Sequence, residues 1–135
     1  ANKQGYVETM PDKTVDPARG YPILCSRSRH GGVSPTVPLN YHVQSTAMWC
    51  TGRAMVRCHD YLTRHPESDG HLIMQVHDEQ DFDFPGDQKS NLKHVYALKR
   101  LMEKSGEDIG VPTPVAVEVH ANTWKDGESV LFDAV

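Results

Sequence analysis

The spacing of apolar residues divides the chain into one long helical stretch with strand-like stretches on both sides. Between residues 39 and 66, apolar side chains recur every three or four positions, which places them on one face of an α-helix. They are Val43, Ala47, Cys50, Ala54, Cys58 and Tyr61. Pro38 stands where a helix start tolerates proline, and Pro66 marks the stop. The pattern predicts one amphipathic helix over residues 39–66, with Gly52 serving a close approach.

A β-hairpin is predicted next, over residues 70–85. Its apolar residues alternate with other side chains, as in strands that bury one face. They are Leu72, Met74 and Val76 in the first strand and Phe82 and Phe84 in the second. The triplet "HDE", residues 77–79, separates the two strands. We therefore expect a hairpin with one well-buried face and an ionisable tight turn at its tip.

Shorter elements are predicted on either side. Residues 1–38 contain two short strands, "GYVET" and "YPILC", joined by turn formers and followed by a loop. Residues 87–135 contain a helix capped by Asp87 or Ser90 and ended by Gly106, then the closing strand "PVAVEVHA". The core residues expected on that helix are Leu92, Val95, Tyr96, Leu98 and Met102. The order β-β-α-β-β-α-β predicts one α+β domain, an antiparallel sheet with helices packed on one face.

Charge is unevenly spread along the 135 residues. Residues 1–66 carry eight Lys/Arg and four Asp/Glu, a balance of +4, whereas residues 67–135 carry six and fourteen, a balance of −8. A protein that binds nucleic acid by bulk charge would not have this second half. The first half is suited to phosphate contacts and the second to a metal ion.

Targeting signals and cysteine patterns add little. No apolar run approaches the roughly 20 residues that cross a bilayer, and the N-terminus lacks a signal-peptide pattern. The three cysteines form no CxxC pair, so we expect reduced thiols in an intracellular protein. No membrane partner is expected.

The acidic hairpin tip is the first candidate for chemistry. Asp78 and Glu79 offer oxygen ligands to a hard cation such as Mg²⁺, which takes one or two protein carboxylates and fills its other positions with water or phosphate. The alternative is a solvated acidic turn with no ligand.

The residues around this tip carry a family resemblance. The stretch "LIMQVHDE", Leu72–Glu79, closely resembles the C-terminal catalytic motif of the family A DNA polymerases, the DNA polymerase I family. The resemblance implies a partial polymerase palm with a catalytic hairpin. It makes Asp78 a metal-ligating catalytic aspartate, Glu79 its acidic companion, and His77 a residue that faces the primer terminus.

A second motif lies at the start of the long helix. Asn40 and Gln44 stand one helical turn apart, resembling the family's Asn-x-x-x-Gln motif, and amides suit contacts in the minor groove. The family's nearby arginine is replaced here by Thr36, so that DNA contact is either lost or moved to Arg27 or Arg29. The following Ser45 is closer to the phage replicative branch. Trp124 resembles the tryptophan after the closing palm strand.

The resemblance covers nearly all of this chain but only part of a family member. The other catalytic aspartate and the fingers helix lie upstream in the family. The resemblance therefore implies two Mg²⁺ ions at a site shared with a complementary N-terminal segment, which together with this chain would act on primer-template DNA and dNTPs. A phage-encoded chain would work in the host cytoplasm.

Two other functions stay open from the sequence. One is a small metal-dependent or hydrolytic enzyme that uses some of the eight histidines, although His59 and His65 point to roughly opposite helix faces and no HExxH occurs. The other is a non-catalytic accessory subunit that keeps the palm fold. Arg53 and Arg57 are expected on the solvated face of the helix.

Overall fold

Two helices and six short strands form the chain in the computed structural model, which describes residues 6–25, 32, 34, 36–121, 123, 125 and 127–130. The elements are β1 (Tyr6–Glu8), β2 (Pro22–Leu24), α1 (Thr36–Arg64), a 3₁₀ turn (Pro66–Ser68), β3 (His71–Val76), β4 (Glu79–Asp83), α2 (Gln88–Ile109), β5 (Glu118–His120) and β6 (Gly127–Ser129). The predicted order of helices and strands is confirmed through β5, and the structure has a further strand, β6, that was not predicted. No helix in these described ranges is both long and apolar enough to span a bilayer.

The strands pair as three separate antiparallel hairpins, β1–β2, β3–β4 and β5–β6. The α+β class is confirmed, but the single antiparallel sheet is not found among the described strands. Four of these strands have three residues each, and such short strands offer few backbone groups for a wider ladder. Helix α1 contacts the first two of these hairpins, through β1, β2 and β3.

Helix α1 begins at Thr36, before the predicted start, so Pro38 lies inside its first turn. Proline is tolerated there because the first turn's N–H groups have no partner within the helix. The predicted stop is confirmed: the helix ends at Arg64, and the N–H of His65 donates to the Tyr61 and Leu62 carbonyls. Gly52 serves no close approach, since an added methyl group would meet nothing.

The core lies where α1 and α2 cross the base of the third and fourth strands. Cys58, Leu62 and Leu98 are buried together. Tyr61, Leu72, Phe82, Phe84, Leu101 and Met102 pack around them. Burial raises the pKa of the Cys58 thiol to about 12, so this thiol stays neutral. All three cysteines are free.

The two helices run antiparallel. Tyr61 contacts His94 near the start of α2, whereas Cys50 contacts Ser105 near its end. Residues of α1 before about Cys50 therefore extend past α2. This explains why Val43 and Ala47, on the predicted apolar face, are exposed.

A buried ion cluster joins three segments. Asp108 of α2, with a side chain only 1% exposed, accepts hydrogen bonds from Arg57 and from Lys104 Nζ at 2.7 Å. Asp12, equally buried, lies 3.2 Å from Arg53. The expectation that Arg53 and Arg57 face solvent was wrong, because the carboxylates that bind them come from sequence positions too distant to see in a local pattern.

Helix α2 has the predicted start but a later end. The Asp87 side chain caps it by accepting from Ser90 N at 2.7 Å. The helix ends at Ile109, and Gly110, at φ 81°, provides the left-handed cap. Gly106 does not end the helix. It lets the returning chain pass closely, because an added methyl group would collide with Thr113.

Neutralising Asp108 should destabilise the fold. The pKa of Asp108 is lowered: burial opposes ionisation, but the hydrogen bonds from Lys104 and Arg57 outweigh burial. We expect Asp108→Asn to lower the free energy of unfolding by about 3 kcal/mol, because Arg57 loses its buried partner. Glu107→Gln, at an exposed neighbouring surface pair, should cost less than about 1 kcal/mol. Urea denaturation checks both, and equal costs would contradict a structural role for the cluster.

Acidic pH should destabilise the fold through His94, which is 3% exposed. Its Nδ1 lies 3.0 Å from the Tyr61 hydroxyl, and burial, then the charge of Lys93, lowers its pKa. The unfolded chain thus binds the proton more readily. Stability should be complete above the unfolded pKa of about 6.5 and be lost as pH falls through the folded pKa.

The measurement is the free energy of unfolding between pH 8 and pH 5. His94→Gln should reduce the decrease in the free energy of unfolding at low pH, since the glutamine does not titrate and its amide oxygen can still accept from Tyr61. His59→Gln, at an exposed histidine on α1, should leave the loss unchanged. The same slope in all three proteins would contradict the assignment to His94.

Candidate functional site

The β3–β4 hairpin closes with a turn of two residues. Val76 pairs with Glu79, which leaves His77 and Asp78 as the loop. His77 has φ 55°, a left-handed conformation in which histidine is more common than most residues. The Gln75 amide donates to the His77 carbonyl at 3.2 Å. The tight turn is confirmed, with the difference that Glu79 begins β4.

The expected buried face of β3 was wrong. Met74 and Val76, which were expected on that face, are 40% and 37% exposed, respectively. The strand register shifts between Leu72 and Met74, so a bulge breaks the alternation from which the buried face was predicted. The base of the hairpin packs against the core, and the half that carries the tip projects away from it.

The side chains at the tip are available for a ligand. His77, Asp78 and Glu79 are all exposed. No hydrogen bond or ion pair with another described residue holds the two carboxylates. Carboxylate oxygens are the donors that Mg²⁺ prefers. No group of three or more potential metal-ligating side chains comes together among the described residues. The tip therefore offers two adjacent carboxylates.

The two predicted DNA-contacting amides lie on the first turns of α1. Asn40 and Gln44 are both exposed. At 100° per residue, they lie within about 20° of Thr51 around the helix axis. Arg27, Arg29 and Trp124 lie outside the described residues.

The direction of the hairpin along α1 relates the tip to these amides. Phe82 and Phe84 pack near Cys58 in the second half of α1, whereas Gln80 Nε2 donates to the Thr51 carbonyl at 3.1 Å. From Gln80 to Phe84 the strand advances about 13 Å, similar to the roughly 10–16 Å from Thr51 to the core. From its base to its tip, the hairpin therefore runs opposite to the direction of α1.

The tip therefore points toward the beginning of α1. Glu79 lies about 3 Å beyond Gln80 along the strand direction, and Asp78, in the turn, follows it. Gln44 lies about 10 Å before Thr51 along the helix axis. The structure thus places the acidic tip and the two amides toward the same end of α1.

Two features of this region were missed from the sequence. Residues 17–59 contain five arginines and no Asp or Glu, so the first half of α1 lies within an acid-free stretch. Gln80 also escaped notice, although it interrupts the face that Phe82 and Phe84 continue. A polar residue on this otherwise aromatic face was the signal in the sequence that could have singled out Gln80.

Comparison with known families decides the relationship. The DNA polymerase family A model matches residues 1–126. The chain belongs to DNA polymerase family A. The family match includes the hairpin tip, the α1 amides, Arg27, Arg29 and Trp124. The polymerase resemblance is therefore confirmed at the level of the family. No curated protein and no solved structure matches the chain.

Substitution of His77 tests the turn of this family A hairpin. Glycine adopts positive φ without steric cost, whereas a β-branched residue does not. We expect His77→Gly to change stability by less than about 1 kcal/mol and His77→Val to cost about 1–2 kcal/mol. The free energy of unfolding checks both variants. A valine variant as stable as the glycine variant would contradict the left-handed turn.

Proposed function

We propose that this chain is part of the palm of a DNA-directed DNA polymerase and supplies Asp78 to its nucleotidyl-transfer site. The observation that carries the proposal is the exposed two-residue tip, which directs Asp78 toward the end of α1 that bears Asn40 and Gln44. Membership of DNA polymerase family A supports the reaction class.

Asp78 and Glu79 fit Mg²⁺ by their oxygen donors and exposure. When bound, two such ions lower the pKa of the primer 3′-hydroxyl and neutralise charge on the triphosphate. Asp78 provides one metal-ligating carboxylate at the hairpin tip, and Glu79 adds negative charge beside it. As the family resemblance implies, the proposal takes the second aspartate from the segment that also carries the fingers.

The other site residues orient the nucleic acid. Asn40 and Gln44 contact the minor groove, where acceptors lie at similar places in every base pair. His77 steadies the primer-terminal phosphate, and Arg27 and Arg29 contact backbone phosphates. The acid-free sequence from 17 to 59 supports this, because no carboxylate in that stretch repels phosphate.

The partners follow from the reaction. They are primer-template DNA, dNTPs and the complementary polymerase segment, on the same or a separate polypeptide. Gln44 followed by Ser45 supports a phage-type enzyme, and the proposal places it inside the cell. An accessory subunit with the same fold is the competing outcome of the test.

Primer extension with Mg²⁺ and dNTPs tests the proposal. We expect no synthesis by this chain alone and synthesis when the complementary segment is supplied. Asp78→Asn should lower the rate at least about a thousandfold, because metal ions contribute several kcal/mol to transition-state stabilisation. Gln44→Ala should lower it about tenfold, as expected for one lost hydrogen bond.

The matched control is Asp83→Asn, an exposed carboxylate at the other end of β4, which should leave synthesis unchanged. DNA binding and the unfolding midpoint should stay nearly constant in Asp78→Asn and Asp83→Asn. Synthesis that is indifferent to Asp78, or a stable complex that makes no DNA, would favour the accessory subunit.

A further inference from the structure

Gln80 connects the hairpin to α1 close to the proposed catalytic tip. Its Nε2 donates to the Thr51 carbonyl at 3.1 Å, across 29 positions of sequence. It is two residues from Asp78, whereas Phe82 and Phe84 pack into the core farther from the tip. This hydrogen bond therefore acts on the part of the hairpin that projects beyond the core.

Stability alone does not explain a glutamine at this position. Residues 80, 82 and 84 share one face of the strand, and the other two are phenylalanines. Gln80 is half-buried, and its Oε1 is buried without a hydrogen-bond partner among the described residues. An apolar side chain would avoid that unpaired oxygen. What the glutamine adds is a directed contact with one carbonyl of α1.

That carbonyl belongs to the helix that carries the proposed DNA contacts. Thr51 lies on the same side of α1 as Asn40 and Gln44, within about 20°. A rigid helix fixes the distance from Thr51 to these amides, and the short strand segment fixes the distance from Gln80 to Asp78. The Gln80–Thr51 bond joins the two.

We infer that Gln80 is a positioning residue, whose bond to Thr51 sets the separation along α1 between Asp78 and the amides of Asn40 and Gln44. The inference rests on the proposed function. Reaction rates depend steeply on such separations, since a misplacement of about 1 Å can cost about a hundredfold.

The first test is Gln80→Met, a side chain of similar length without the amide donor. In the assembled polymerase that contains this chain, single-turnover primer extension should slow about tenfold, while the Kd for primer-template DNA changes less than about twofold. A loss of DNA affinity without a slower rate would overturn the inference, as would an unchanged rate.

Gln75→Met is the matched control. Gln75 pairs directly with Gln80 across the hairpin, but its amide bonds to His77 within the turn. Each glutamine substitution is combined with Gln44→Ala. In the double variant of Gln80→Met and Gln44→Ala, the fold-loss in rate should be smaller than the product of the two single losses, because both substitutions disturb the same separation. In the double variant of Gln75→Met and Gln44→Ala, the fold-loss in rate should equal the product of the two single losses. Multiplying losses in the Gln80 pair would point to a merely structural role.

Hydrogen exchange of the same assembly gives a readout that does not depend on synthesis. Gln80→Met should speed amide exchange in residues 76–80 about fivefold or more, while residues 57–62 keep their protection. Unchanged exchange at the tip would overturn the inference even if the assembly makes DNA. Absence of synthesis by the unsubstituted assembly would overturn the proposed function, while exchange would still decide whether Gln80 holds the tip.

Discussion

The pairing of two buried carboxylates with two arginines of α1 is the constraint on which the arrangement of this chain depends. Asp12 comes from the connection between β1 and β2, and Asp108 from the end of α2. A carboxylate so deeply buried is tolerated only with a charged partner and further hydrogen bonds. Arg53 and Arg57, one helical turn apart, provide these partners. The N-terminal hairpin and the second helix are thereby fixed against the same two turns of α1.

The division of α1 into two halves follows from that constraint. Its second half packs against α2 and the base of the β3–β4 hairpin, so it serves the core. Its first half extends past α2. There the His42 ring bonds to the Glu8 carbonyl of β1, and Met10 N, just after β1, donates to Thr46 Oγ1 at 3.0 Å. Asn40 and Gln44 are left on an open side, toward which the hairpin tip projects. The site residues are therefore exposed because the core ends before them.

The sequence predicted those features that depend on neighbouring residues. The period of α1, its stop before Pro66, the Asp87 cap and the turn at His77 and Asp78 are all local, and each was found. Features that depend on distant residues were not predicted. Gly106 looks like a helix end, and only the passage of Thr113 shows its packing role. Arg53 and Arg57 look solvated until Asp12 and Asp108 are placed beside them. The bulge in β3 changes which residues are buried without changing their types.

The candidate site shows the same division. The short motif around Asp78 predicts a chemical role because its residues are adjacent in the chain, and that role stays a prediction within the family match. The relation between Asp78 and Gln44 depends on a glutamine and a backbone carbonyl 29 residues apart, for which no motif exists. Exposed apolar side chains also lie on the elements that carry the proposed site, including Leu39 and Val43 on α1 and Ile73 and Met74 on β3. In the proposed function, the other metal ligands reach Asp78 from a second polymerase segment, and these elements are the ones that such a segment would approach.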